Sequence, residues 1–132
     1  DSKNKFYSTL AFGAAVMFPV AGVRVYLATG ATDMRKAISG LSILVGERLK
    51  LDAFSGHLFA FCNYRRTMVK ILYWDRNGFC LWQKRLEKER FYWPATEEEV
   101  EEIRSQQLRW LLDGLDLRRI KGHPERRYSI IY

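Results

Sequence analysis

Hydrophobic and polar positions alternate with different periods along the chain, and each change of period predicts an element. Residues 23–27 alternate and are rich in β-branched and aromatic side chains, which is typical of a strand. After a break around Gly30, apolar residues recur every three or four positions from Met34 to Leu49, which predicts one helix with an apolar stripe. Thr32 or Asp33 precedes this stretch, and we expect one of them to cap the helix.

The middle of the chain predicts three strands joined by hairpin-sized connections. They are expected over His57 to Cys62, Met68 to Trp74 and Phe79 to Leu86. The second connection contains Asn77-Gly78, a pair that supplies the positive φ angles of a tight turn. Residues 91–93 are expected to add a short strand that ends at Pro94, because proline has no N–H to pair.

The composition changes at Thr96. Thr96 and Glu99 match a capping box, so we expect a helix from there through residues 100–112, with a break near Ser105. Gly114 is the expected C-terminal cap.

The resulting order, β-α-β-β-β-α, predicts an α+β domain. Three to five antiparallel strands would form a meander with two helices packed on one face, and a strongly curved half-barrel of the same strands is the alternative. The domain is expected to occupy residues 17–114. Residues 1–16 are interpreted as an extension, unstructured or derived from cloning, and residues 115–132 as a basic tail without predicted elements.

Composition narrows the class of protein. With 48% hydrophobic and 14% aromatic residues, the chain does not resemble a disordered protein. No apolar run is long enough to cross a membrane, so no membrane partner is expected. Cys62 and Cys80 lie in apolar strand-like runs, which favours two reduced core thiols and a cytoplasmic location.

Charge points to a polyanionic partner. Lys and Arg number 22 against 15 Asp and Glu, a net charge of +7, and the surplus lies in the predicted sheet domain. Cations with interleaved aromatic rings suit nucleic acid, whereas a merely soluble basic surface is the alternative. The candidate phosphate contacts are Arg35, Lys36, Arg65, Arg66, Arg76, Lys84 and Arg85.

A second surface suits a protein partner. Phe91, Tyr92 and Trp93 precede the acidic run 97–102, and together they predict an exposed aromatic and charged edge.

Catalytic patterns are weak by comparison. The acids outside that run, such as Asp33 and Asp75, have structural explanations in caps and turns, which argues against a metal-dependent nuclease. His57 is expected to make a structural hydrogen bond, and the cysteines lack zinc-ligand spacing. We expect no catalytic residue, no metal, no cofactor and no enzymatic activity.

An ordered series of motifs resembles a known family. These motifs span about Met17 to Arg119 and are Gly22–Lys36, Phe54–Phe59, Lys70–Asp75, Gly78–Leu81, Lys84–Glu87 and Phe91–Pro94. The chain is similar to the short accessory proteins, often called TnpB, from the second open reading frame of the insertion-sequence-sixty-six group of bacterial mobile elements. Much larger RNA-guided nucleases share that short name, and nothing is carried over from them.

The resemblance implies a protein that is encoded beside a separate transposase and acts with it in DNA transposition, without established enzymatic activity. The implied partners are the DNA of the transposon ends and the transposase of the same element. An adaptor that docks on the transposase without touching DNA is the alternative.

Overall fold

The computed structural model describes residues 22–121. The expected extension over residues 1–16 and most of the expected basic tail lie outside the described residues. The strands are β1 (Val25–Ala28), β2 (Leu58–Cys62), β3 (Met68–Asp75), β4 (Gly78–Arg85) and β5 (Val100–Ile103). The helices are α1 (Ile38–Glu47), α2 (Ser105–Leu112) and α3 (Leu117–Lys121), the last within the tail for which the sequence predicts no element.

The described strands form one mixed sheet in the order β4-β3-β2-β1-β5. The predicted antiparallel meander is present as β2-β3-β4. Strand β1 pairs in parallel with β2, Val25 opposite Leu58, so α1 is the crossover between them. On its other side β1 pairs antiparallel with β5, Val25 opposite Ile103. The α+β class is therefore confirmed, in a sheet whose strands are mostly antiparallel.

Apolar clusters cover both faces of the sheet, not the single face that the sequence predicts. Leu58, Ala60 and Cys62 of β2 pack in a cluster with Leu108 of α2. The alternate residues of β2 pack in a second cluster with α1. Every residue of β2 is buried, and a strand that is apolar on both faces needs a covering layer on each.

Helix α1 begins at Ile38, four residues after the expected start. Ala37 occupies its N-cap position and makes no side-chain capping bond. The Asp33 carboxylate instead accepts the backbone N–H of Arg35 at 2.9 Å and its Nη2 at 2.7 Å. The prediction of a cap at Thr32 or Asp33 is wrong because this local turn competes with helix initiation.

The expected helix from Thr96 is also wrong in its first half. Residues 100–103 form β5, which satisfies backbone groups along the free side of β1. Helix α2 starts at Ser105, where the sequence predicts a break, and the Arg104 N–H donates to Gln107 Oε1 at 2.8 Å. Gly114 follows the helix with a φ of 87°, consistent with its expected place at the helix end.

Residues 86–99, called here the crossing segment, connect the two edges of the sheet. Four strand spacings separate β4 from β5, a distance of about 19 Å. Phe91 N–H donates to the Arg66 carbonyl at 2.7 Å, and Trp93 Nε1–H donates to the Ala28 carbonyl at 2.8 Å. The predicted strand at residues 91–93 is absent because this segment crosses the end of the sheet and does not extend it.

Candidate nucleic-acid interface

Three segments meet at one end of the sheet, where β1, β2 and β4 end and β3 begins. We call residues 29–37, 63–67 and 84–94 the basic end. Backbone hydrogen bonds join these segments to one another and to the end of β2: Thr32 N–H to Cys62 O at 2.8 Å, Leu86 N–H to Thr67 O at 2.8 Å, and Gly30 N–H to Pro94 O at 2.9 Å. Side chains from distant parts of the chain are thereby placed on a common frame.

Four predicted phosphate contacts are exposed at the basic end. The Arg35 side chain is 91% exposed and that of Arg85 is 62% exposed. Lys36 and Arg65 are also exposed. The fold therefore brings these four cations to the same end of the sheet, as an extended anion would require.

Two other predicted contacts lie at this end but are used internally. Arg66, which has a φ of 64°, directs Nη1 to the Trp93 carbonyl and anchors the crossing segment. Lys84 Nζ donates to the Leu112 carbonyl at 2.8 Å, at the C-terminus of α2, where a positive charge is favourable. Their main contribution in this fold is to hold the frame.

Arg76 is remote from the other predicted contacts. It lies in the β3–β4 turn, which the eight residues of β3 separate from the basic end by about 25 Å. Its side chain is 89% exposed, and Nε lies 3.7 Å from Asp75 Oδ1.

Ion pairs with acidic neighbours partly offset the charge of two of the exposed arginines. Hydrogen bonds from the side chain and backbone of Arg35 lower the pKa of the Asp33 carboxyl from 3.8 to about 2. Asp33 is therefore ionised at neutral pH and partly offsets the charge of Arg35. Arg85 Nε lies 3.2 Å from Glu87 Oε2, and this pair partly offsets the charge of Arg85. Exposed pairs of this kind are weak, so a phosphate can compete for either arginine.

Lys70 also helps to position the basic end, a role that was not predicted from the sequence. Only 8% of it is exposed, and its Nζ donates to the Met34 carbonyl at 2.8 Å and the Lys36 carbonyl at 2.9 Å. It thus fastens the loop that carries Arg35 and Lys36 to β3. A single lysine inside the apolar run of residues 68–74 was the available signal, because a buried ammonium needs acceptors.

The prediction of an exposed aromatic edge is wrong for Phe91 and Trp93. Phe91 is 1% exposed and Trp93 is 4% exposed, because both rings pack in the cluster beneath α2. Tyr92 between them is 52% exposed. The acidic residues nearby are partly paired, as Glu99 with Arg48 and Glu102 with Arg24.

The remaining candidates have structural roles. His57 Nδ1 accepts the Arg24 N–H at 3.0 Å, which confirms the expected structural hydrogen bond. Both cysteines are free, and burial raises the pKa of the Cys62 thiol to about 12. Residues 22–121 contain no group of three or more His, Cys, Asp or Glu placed to hold a metal ion. Within the same range, no helix has the length and apolar character needed to cross a bilayer.

Comparison with known proteins identifies similar sequences. A family model described as "IS66 Orf2 like protein" matches residues 23–122. "Uncharacterized protein y4hO" of Sinorhizobium fredii (strain NBRC 101917 / NGR234) is 42% identical over 103 residues, covering 78% of this chain and 86% of the relative. "Uncharacterized protein y4jC" of the same strain is 33% identical over 109 residues, covering 83% and 93%. No solved structure matches the chain.

Proposed function

The chain belongs to the family of IS66 Orf2-like proteins, accessory proteins of insertion-sequence transposition, and we propose that it binds the DNA of the transposon ends through its basic end. In doing so it would assist the transposase of the same element by holding the DNA on which that enzyme acts. The proposal assigns it no catalytic step.

The observation that carries the proposal is the gathering of Arg35, Lys36, Arg65 and Arg85 at one end of the sheet. Cations that follow a phosphate backbone release condensed counterions, and this release supplies most of the affinity of sequence-independent contacts. Two of these arginines give up only an exposed ion pair on binding a phosphate, so the cost of redirecting them is small.

The internal cations support the same role indirectly. Arg66 and Lys84 hold the crossing segment and α2 in place, and Lys70 fixes the loop before α1. Because these bonds order the backbone before DNA arrives, less conformational entropy is lost on binding.

A salt titration with matched arginine variants tests the proposal. We expect the affinity for a duplex carrying the terminal repeat of the element, measured by fluorescence anisotropy, to fall steeply with salt. Arg35→Ala and Arg65→Ala should each weaken binding and reduce the slope of log K against log salt by about 0.9, one phosphate contact. Arg76→Ala is the control, because Arg76 is equally exposed and paired with an aspartate but lies at the far end.

Equal losses in the Arg35 and Arg76 variants would indicate diffuse attraction by net charge and would contradict an interface at the basic end. Absence of salt-dependent binding, combined with co-purification with the transposase, would instead establish the alternative of an adaptor without DNA contact.

A further inference from the structure

A cleft of about 580 Å³ lies partly within the basic end and extends from it toward β5 and α3. Its walls come from the crossing segment, β5 and the beginning of α3. Phe91, Trp93 and Leu117 line it and are almost fully buried, so they provide an apolar floor. This volume lies in the range of pockets that enclose small organic ligands.

Tyr92 is the exposed aromatic ring of this cleft, and its backbone is fixed on both sides. The Phe91 N–H is bonded to the Arg66 carbonyl, and the Trp93 indole is bonded to the Ala28 carbonyl. A half-exposed ring on a fixed backbone offers a stacking surface that loses little freedom when a planar ligand covers it.

Three arginines line the cleft together with Tyr92. Arg66, Arg90 and Arg118 line the cleft, and the Arg118 side chain is 86% exposed. Arg66 also belongs to the β2–β3 turn, so the cleft continues directly into the basic end.

The cleft also contains two carboxylates, those of Asp116 and Glu101. Asp116 accepts the Arg118 backbone N–H at 3.0 Å and its Nε at 3.3 Å, and these bonds lower the pKa of the carboxyl. A carboxylate accepts hydrogen bonds from the exocyclic amino group of a base, so Glu101 is compatible with a nucleobase beside it.

We propose that the cleft accepts an unpaired nucleotide that extends from DNA held at the basic end. The base stacks on Tyr92, and Arg90 holds its phosphate, while Arg118 remains paired with Asp116 at the wall of the cleft. This inference rests on the proposed function and adds to it the kind of DNA end that is preferred, a duplex with a single-stranded extension. An acidic peptide is the competing occupant, but continuity with the basic end favours the nucleotide.

Two duplexes of identical sequence, one blunt and one with a short single-stranded extension containing 2-aminopurine, test the inference on the full chain. We expect the extended duplex to bind about tenfold more tightly, with 2-aminopurine fluorescence quenched by stacking. Tyr92→Ala and Tyr92→Leu should both remove this preference and the quenching while leaving blunt-duplex affinity within about twofold. The leucine variant keeps apolar bulk without an aromatic face, so it remains informative if the alanine variant folds poorly.

Tyr64→Ala is the matched control, since Tyr64 is 86% exposed in the β2–β3 turn but does not line the cleft. Equal affinity for the two duplexes, or a preference that persists in both Tyr92 variants, would overturn the inference while blunt-duplex binding still supports the proposed function. If the Tyr92 variants lose binding to the transposase but keep the preference for the extended duplex, the cleft binds a peptide and the inference is overturned as well. Absence of binding to both duplexes would refute the proposed function and this inference together.

Discussion

At the residue scale, two buried threonines three positions apart differ in their hydrogen bonds. Thr29 is 2% exposed, and its hydroxyl donates to the Glu98 carbonyl of the crossing segment. Thr32 is 5% exposed, and its Oγ1 has no partner among the described residues. A buried hydroxyl without a partner loses its hydration and gains nothing in return.

Replacing each threonine by valine should therefore change stability in opposite directions. Thr32→Val should leave the free energy of unfolding unchanged or raise it by up to about 1 kcal/mol, because it removes an unpaired hydroxyl at nearly constant shape. Thr29→Val should lower the free energy of unfolding by about 1 kcal/mol, because the hydrogen bond from the Thr29 hydroxyl to the Glu98 carbonyl is lost. Urea denaturation of both variants measures the difference, and a clear loss of stability in Thr32→Val would show that its hydroxyl has a partner.

At the element scale, the loop before α1 depends on one side chain from the sheet. Lys70 of β3 holds that loop through the Met34 and Lys36 carbonyls. The loop contains no regular structure of its own, so Lys70 is what fastens its carbonyls to the sheet, while the first N–H groups of α1 receive no side-chain capping bond.

Lys70→Met should lower the free energy of unfolding by about 2 kcal/mol, because both carbonyls lose a charged donor while the side chain keeps its volume. Lys88→Met is the control: Lys88 is exposed on the crossing segment, and its replacement should change stability by less than about 0.5 kcal/mol. Chemical denaturation compares the two variants. Similar midpoints for both would contradict the role assigned to Lys70.

Elements whose signals are local were predictable from the sequence. The hairpin strands of residues 57–86 follow from their apolar runs. The prediction that Asn77 and Gly78 supply the positive φ angles of the second turn is wrong, because the positive φ lies at Arg76 (54°) and Gly78 already belongs to β4. Strand β5 was not predictable, because glutamates at residues 97–102 favour a helix start locally and only the free edge of β1, far away in the sequence, selects a strand.

The residues of the candidate site also differ in whether the local sequence predicts their role. Exposed cations such as Arg35 and Arg65 follow from composition and turn position. The internal roles of Arg66, Lys84 and Lys70 depend on carbonyls contributed by other elements, which no local pattern reveals.

At the scale of the whole molecule, one sheet separates two apolar clusters and contributes side chains to both. Leu41 of α1 belongs to one cluster and Leu108 of α2 to the other, and each is 0% exposed. Adjacent residues of β2 enter opposite clusters, so neither face can lose its packing without disturbing the other.

Leu41→Ala and Leu108→Ala should each destabilise the protein by about 3 kcal/mol, and each should shift a single cooperative transition. Far-UV circular dichroism and tryptophan fluorescence measure it. Three of the four tryptophans, Trp82, Trp93 and Trp110, pack in the cluster beneath α2, so coincidence of the two signals in Leu41→Ala tests coupling across the sheet. A fluorescence transition that stays at the wild-type midpoint while the dichroism shifts would mean that the faces unfold separately.

The pairing of β1 with β5 also has a consequence for synthesis on the ribosome. The first described strand acquires its second neighbour only after residue 103 has been translated, so β1 waits with one bare edge while the hairpins downstream can already form. A polypeptide terminated before Val100 would keep that edge permanently, flanked by apolar side chains, and such edges recruit strands from other molecules. Translation through residue 103 thus covers this side of β1.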